Sequence, residues 1–368
     1  MTRLLITDDS AFMRIAIRKM LESHLDIEVI GEAKTGQMCV EMARVLRPDV
    51  ITMDVEMPVM DGLEATRQIM AETPCPIIML SSHTEQNSVT TLRALELGAV
   101  DFIAKNSSFL QLDMAKIGAD LVEKIQYWAK KKYLPGKDSR SGSLPYFSNS
   151  SIESEVEIRK LRQGPNPLPA GLVVLGISTG GPATLPQVLK SMGRLNCPMV
   201  VAQHMPLLFT SGFASHLRSE TGLDVVESTE QMELKPGIIV IAKGGSDVVI
   251  REPFPGKFML YQKTDLQASI HPNADVLFRS AASVSCPVVA VVMTGMGSDG
   301  LLGAQELVDR KNAHVLAQEP ATCIVDGMPA SIINAGLATA VLSPQEIGKS
   351  LSRLCTGRMR FDFKTLYS

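Results

Sequence analysis

Apolar positions in the first 130 or so residues follow two alternating patterns. Short β-rich runs (Leu4-Leu-Ile6, Glu28-Val-Ile30, Val50-Ile-Thr-Met53, Ile77-Ile-Met-Leu80 and Phe102-Ile-Ala104) are separated by stretches of helical period, such as Phe12, Ile15, Ala16, Met20 and Ile117, Leu121, Ile125, Trp128. Each parallel strand pair needs a helical crossover, so five such units predict an α/β fold, a five-stranded parallel (βα)5 domain over residues 1–133. Ligands of such sheets bind at the carboxyl ends of the strands.

The pattern breaks at residue 134. Pro, Gly, Ser and Asn dominate 134–168, from Pro135-Gly136 to Gly164-Pro-Asn-Pro-Leu-Pro169, with one charged patch at Glu153 to Arg162. A structureless loop of that length is unusual inside a domain, so this segment reads as a flexible linker. At ~35 residues its span is about 30 Å, enough for one domain to cover and release the other. Strand-like runs then resume at Val173, Pro198-Met-Val-Val-Ala202, Gly237-Ile-Ile-Val-Ile-Ala242 and Pro287-Val-Val-Ala-Val-Val-Met293. Their unbroken apolar character implies a sheet covered on both faces. Val248-Val-Ile250 and Phe258-Met-Leu-Tyr261, joined through Pro253 to Gly256, predict an antiparallel hairpin. Residues 169–357 are therefore expected to form a doubly wound, mostly parallel α/β domain with that hairpin, and 358–368 a tail.

Length and composition agree with two cores. The chain has 368 residues, 45% hydrophobic and 20% charged, with a formal net charge of −3, which argues against a general binder of nucleic acid or anionic membrane. No run approaches the ~18 apolar residues of a membrane span, and the N-terminus enters a strand without a signal-peptide pattern, so a cytoplasmic protein is expected. Six cysteines without a C-x-x-C pair point to reduced structural thiols.

The strand ends carry the candidate chemistry. Val173-Val-Leu-Gly-Ile-Ser-Thr-Gly-Gly-Pro182 reads as strand, tight turn and helix, with Ser178 at a helix N-terminus. The turn fits a G-x-S-x-G nucleophile elbow, a phosphate cradle or a plain helix cap. A nucleophilic serine needs a base and a group to orient it. His204 follows another apolar strand and Asp299 lies in the loop after a third, although Asp299 could instead cap the helix at Gly300. The order Ser178, His204, Asp299 differs from that of α/β-hydrolases. His24, His83, His216 and His314 lack a strand-end setting, whereas His271 could line a cleft. In the first half, Asp8, Asp9, Asp54, Ser81 and Lys105 follow strands. Each acid alone could be a cap, but three converging carboxylates would repel one another without a hard divalent cation, most simply Mg²⁺.

The first half, including Asp54-Val-Glu-Met-Pro-Val-Met-Asp-Gly62, resembles the receiver domain of two-component response regulators. That resemblance implies that Asp54 accepts a phosphoryl group from a histidine kinase. It also implies that Asp8, Asp9, Asp54 and the carbonyl of Glu56 hold the metal, with Ser81 as switch hydroxyl and Lys105 as the family's lysine. Asn106 stands where that family has proline.

Gly176-Ile-Ser-Thr-Gly-Gly181, Gln203-His204-Met-Pro206, Asp275-Val-Leu-Phe-Arg-Ser280, Met293-Thr-Gly-Met-Gly-Ser-Asp-Gly300 and Gly327-Met-Pro329 together closely resemble the CheB family of chemotaxis protein-glutamate methylesterases. The resemblance spans both domains and implies a Ser178, His204, Asp299 triad, an oxyanion hole using the Met296 N–H, and Thr179 in the same site. Its implied function is a phosphorylation-activated serine hydrolase that demethylates glutamates and deamidates glutamines of methyl-accepting chemotaxis receptors. A CheA-type histidine kinase is the implied phosphodonor, and the esterase reaction needs no cofactor. Ile177 and Asn273 replace a common alanine and serine and are expected to alter the cleft. Two other classes compete: a second domain that only binds a receptor or nucleotide, and a DNA-binding output, for which no basic recognition helix exists.

Overall fold

The structure, a computed structural model, describes residues 1–82, 85–105, 114–134, 146–148, 169–263 and 271–356. His83, Asn106, the 358–368 tail and most of the expected linker lie outside these residues. Two compact units divide the chain, residues 1–155 and 156–368.

The first unit runs β1 (Thr2–Thr7), α1 (Ala11–Leu21), β2 (Ile27–Ala33), α2 (Gly36–Leu46), β3 (Val50–Asp54), α3 (Gly62–Glu72), β4 (Ile77–Ser82), α4 (Glu85–Glu96), β5 (Asp101–Lys105) and α5 (Met114–Lys130). Its five strands are all parallel, in the order β2-β1-β3-β4-β5. Every residue of β3 is buried, as a central strand covered on both faces requires. Helix α1 packs with α5, and α2, α3 and α4 pack in series. Ser10, Thr35 and Asp61 cap α1, α2 and α3 through their side-chain oxygens. The strand order reverses between β1 and β3, which opens a crevice at the ends of both. A short antiparallel pair follows, β6 (Lys132–Leu134) and β7 (Tyr146–Ser148).

The second unit runs β8 (Leu172–Ile177), α6 (Gly181–Met192), β9 (Met199–Gln203), α7 (Phe209–Thr221), β10 (Asp224–Glu227), β11 (Gln231–Leu234), β12 (Ile238–Ile241), β13 (Asp247–Phe254), β14 (Lys257–Lys263), α8 (Ala274–Ala281), β15 (Val288–Val292), α9 (Leu301–Lys311), β16 (His314–Gln318), α10 (Gly327–Asn334), β17 (Ala340–Leu342) and α11 (Pro344–Thr356). Seven parallel strands form its main sheet, ordered β10-β12-β9-β8-β15-β16-β17. The expected hairpin is β13 and β14, and β11 joins it as a third antiparallel strand. On one side α6 packs with α7 and α11, while α8 packs with α9 and β13. Val174, Val200, Val240 and Val292 meet Leu277, Phe278 and Leu260 in the core beneath α8 and the hairpin.

Six strands escape the sequence pattern, among them β6 and β7, the latter inside the expected linker. β10, β11 and β17 are only three or four residues long, and β16 follows α9 across Asn312 without a Gly or Pro break. All six cysteines are free, four of them buried. No described helix is long and apolar enough to cross a membrane.

Candidate active site and acidic cluster

Strand β8 is the first laid down in the second sheet, and its neighbours β9 and β15 leave it on opposite sides. The switch point of this sheet therefore lies at the carboxyl end of β8, where Ser178 follows Ile177. Backbone bonds extend both ladders just past the strand: the His204 N–H reaches the Ile177 carbonyl at 3.0 Å, and the Ser178 N–H reaches the Thr294 carbonyl at 2.9 Å. Gly180 then turns the chain at φ +81°, in the left-handed region, and α6 begins with Pro182 in its first turn. No side chain caps α6, so the Ser178 hydroxyl is not spent as a helix cap.

That hydroxyl instead meets a base. Ser178 Oγ lies 3.0 Å from His204 Nδ1, and His204 Nε2 lies 2.7 Å from Asp299 Oδ2. Because a carboxylate only accepts, Nε2 carries the imidazole proton and Nδ1 keeps the lone pair that faces the serine. The ring nitrogens thus exchange the places they hold in the usual serine hydrolase template.

Asp299 caps a helix, but not the one at Gly300. Its Oδ2 accepts from the Ala274 N–H at 2.6 Å, and its Oδ1 from the Asp275 N–H at 3.0 Å and the Gly300 N–H at 2.9 Å. The first two belong to the start of α8, about 25 residues away in sequence, where the helix dipole favours negative charge. Burial opposes ionisation of Asp299, and the His204 hydrogen bond and charge together with these N–H groups outweigh it, holding the carboxyl below the ordinary carboxylate range. The Asp275 carboxyl accepts from the Gly303 N–H at 2.6 Å. Burial pushes it upward, against that bond, with the nearby Asp299 charge adding to the push.

Thr179 is buried, and its carbonyl accepts from the Thr294 hydroxyl at 2.9 Å. Thr294 also receives the Val325 N–H at 2.9 Å and donates its own N–H to Gln318 Oε1 at 3.0 Å, tying the nucleophile turn to the loop before α10. Gly295 is required here: a β-carbon on it would meet Met328 Sδ at 2.3 Å and Ser178 Cβ at 2.7 Å. Met296 follows, half-buried, and among the described residues no hydrogen bond engages its N–H.

The two substitutions expected to alter the cleft lie at the end of β8 and just before α8. Ile177 is fully buried at the end of β8 and does not line an opening. Asn273 caps α8, its Oδ1 accepting from the Val276 N–H at 2.9 Å, as a serine hydroxyl at this position also could. His271 Nδ1 lies 3.0 Å from buried Asp247 Oδ2. His216 pairs with Glu220 on α7, and His314 starts β16 at the opposite edge of the sheet.

In the first unit Asp8, Asp9 and Asp54 each offer an oxygen, all within 4.8 Å of one another. Asp8 and Asp54 are buried, Asp9 is exposed, and a single ammonium bridges the buried pair: Lys105 Nζ lies 2.7 Å from Asp8 Oδ2 and 2.7 Å from Asp54 Oδ1. Burial pushes Asp54 up to about 6; Lys105 opposes this, and the charges of Asp8 and Asp9 add to it. The Arg14 guanidinium donates to the Asp8 and Asp9 carbonyls at 2.9 and 3.2 Å, fixing the acidic turn from behind. Ser81, buried at the end of β4, accepts from the Thr91 hydroxyl at 2.7 Å. Glu56 is exposed in the loop after β3, and no hydrogen bond engages its carbonyl among the described residues. Three hard oxygen donors with one compensating cation suit a divalent metal.

Sequence reasoning missed Gln203, Thr294 and Gln318, all buried polar residues around the Ser178 turn. A buried amide directly before a strand-end histidine was the one signal that could have found any of them.

Comparison with known proteins adds to this geometry. Residues 173–351 match a protein family described as CheB methylesterase, and residues 4–115 one described as response regulator receiver domain. A protein-glutamate methylesterase/protein-glutamine glutaminase of Halalkalibacterium halodurans is 38% identical over 355 residues, covering 96% of this chain and 98% of the relative. The protein of the same name in Bacillus subtilis is 36% identical over 356 residues, with coverage of 96% and 98%. Among solved structures, the Thermotoga maritima CheB methylesterase catalytic domain shares 34% identity and covers 51% of this chain and 100% of that one, with a TM-score of 0.48. The response regulator domain of Thermotoga maritima CheB shares 44% identity over 35% of this chain and 96% of that one, with a TM-score of 0.33.

Proposed function

The chain belongs to the CheB methylesterase family, and from that premise we propose that it is a cytoplasmic hydrolase of glutamate γ-methyl esters and of glutamine side chains on methyl-accepting chemotaxis receptors. The observation that carries this reading is the unbroken series Ser178 Oγ, His204 and Asp299, at 3.0 and 2.7 Å. His204 Nδ1 takes the serine proton as Oγ attacks the γ-carbonyl, and Asp299 stabilises the imidazolium through Nε2. The Met296 N–H, which no hydrogen bond engages among the described residues, is the candidate donor to the tetrahedral oxyanion. The imidazolium then protonates the ester oxygen, or the amide nitrogen of a glutamine, as its bond to the carbonyl carbon breaks, so that methanol or ammonia leaves and an acyl-enzyme remains on Ser178. Water activated by the same Nδ1 releases the glutamate.

Control belongs to the receiver unit. Asp54 is the phosphoryl acceptor from a CheA-type histidine kinase, and Ser81 and Lys105 contact the transferred group. Asp8, Asp9, Asp54 and the Glu56 carbonyl would hold Mg²⁺, which when bound neutralises phosphoryl charge. The phosphoryl group raises hydrolase activity and so sets receptor adaptation. Methanol release from a methylated receptor fragment tests the reading. It should depend on Ser178 and rise several-fold with a small phosphodonor and Mg²⁺; a protein that binds the fragment without releasing methanol would be a binding module instead.

A further inference from the structure

The ladder between β8 and β9 ends at the pair Ile177 and Gln203, and the last backbone bond across it is the one from the His204 N–H to the Ile177 carbonyl. Beyond that rung the strands part, and Ser178 and His204 leave on separate loops. The Gln203 side chain spans the gap. Its Nε2 donates to the Ser178 carbonyl at 3.0 Å and to the His204 carbonyl at 3.1 Å, one hydrogen to each. Only this orientation of the amide sets donors against both carbonyl oxygens; turned over, it would face acceptor with acceptor.

At the other end of the amide, Gln203 Oε1 is buried, without a hydrogen-bond donor among the described residues, and lies against Gly181, where a β-carbon would clash with it. An apolar side chain of similar volume would remove this unsatisfied acceptor and, with it, both N–H donors, so its two effects on stability oppose each other. The NH₂ end joins the two loops that carry Ser178 and His204.

We infer that Gln203 is a positioning residue for hydrolysis, its NH₂ group acting as a side-chain rung that sets the spacing of nucleophile and base. This deepens the hydrolase reading above and rests on it. Without the two N–H donors, the Ser178 turn and the His204 loop are free to separate, and the 3.0 Å approach of Oγ to Nδ1 is lost for part of the time. Gly181 contributes to the same spacing. Its N–H holds the same Ser178 carbonyl at 2.8 Å, and its lack of a side chain gives Oε1 its space.

The test uses the full-length protein carrying Gln203→Leu and, separately, Gln203→Met, both without donors and of similar volume. Ser178 reactivity is read as the rate of covalent labelling by a fluorophosphonate, and turnover as kcat and KM for methanol release. The expected result is labelling and kcat each slower by about 10–100-fold, KM within about twofold of wild type, and Tm within a few degrees of wild type. A purely structural role predicts the opposite split, a lower Tm with unchanged activity per folded molecule, and that result overturns the inference. Wild-type labelling rates in either variant overturn it too. Should the wild-type protein itself resist labelling at Ser178, the hydrolase reading falls and this inference with it.

Discussion

Both units set their chemistry at the carboxyl edge of a parallel sheet, and they treat charge in opposite ways. In the second unit a single carboxylate, Asp299, meets the His204 ring N–H and the backbone N–H groups of Ala274, Asp275 and Gly300, and is held below the ordinary carboxylate range. In the first unit three carboxylates share the Lys105 ammonium, and Asp54 is pushed up to about 6. At Asp299 the donors outweigh burial. The cluster around Asp54 carries surplus negative charge that a divalent cation would offset.

The largest expected effect separates the two sites. Ser178→Ala and His204→Ala should each lower methanol release by at least about 10³-fold, since each removes a group the others cannot replace. Phosphate incorporation at Asp54 should stay at the wild-type level in both. Loss of phosphorylation in Ser178→Ala would end the view of two independent chemistries.

Asp299→Asn tests the balance of donors against burial within the second unit. The amide turns an N–H toward at least one of the donors that Asp299 accepts from, so kcat should fall by about 10²–10⁴ with little change in KM. Stability of this unit should also drop by about 1–2 kcal/mol at neutral pH, because the start of α8 loses an acceptor. A carboxyl with a depressed folded-state pKa contributes stability above its ordinary value and loses it as pH falls through the depressed one. The gap in melting temperature between wild type and variant should therefore close in acid, below about pH 4.

The sign reverses for Asp54. Its folded-state pKa of about 6 lies above the ordinary 3.8, so its contribution is fully present below about pH 4 and is lost as pH rises through 6. Asp54→Asn should stabilise the receiver at pH 7, in the presence of a chelator, by up to about 3 kcal/mol, and the gain should vanish toward pH 4. Calorimetry across that range checks it, and a destabilised variant at pH 7 would mean that the Lys105 pair outweighs burial. The same variant should keep basal esterase activity and lose its response to phosphodonor.

The smallest effect concerns the loops. The turns that carry Ser178 and Asp299 reach positive φ at Gly180, Gly297 and Gly300, where glycine is at ease. The loop after Asp54 does so at Val59, a β-branched residue at φ +70° that is 84% exposed. Val59→Asn should raise receiver stability by about 0.5–1 kcal/mol without touching the hydrolase. An unchanged melting temperature would show that the loop relaxes around valine.

What can be read from the chain, and what cannot, follows from distance along it. The strands bearing Asp54, Ser178 and His204 are unbroken apolar runs ended by polar or glycine-rich turns, so their existence and their chemical ends are visible locally. Asp299 is visible as a strand-end acid, yet its helix partner is not. Gly300 is adjacent in sequence, whereas the α8 N–H groups reach Asp299 only through tertiary packing. Gln203 stays hidden for a related reason: inside a strand an amide looks like any polar edge residue until the parting of β8 and β9 gives it two carbonyls to join. Short edge strands such as β10 and β17 have too few residues for a period to show.

The long reach of Asp299 also bears on how the protein is made. Ser178 and His204 leave the ribosome together, while the carboxylate that orients the imidazole is translated 95 residues after that histidine. The start of α8, translated in between, has no acceptor for two of its N–H groups until then. A nascent chain therefore holds Ser178 and His204 before the carboxylate that meets His204 exists. On the proposed reading, a chain that ends before Asp299 should hydrolyse esters about 10²–10⁴-fold more slowly than the full chain.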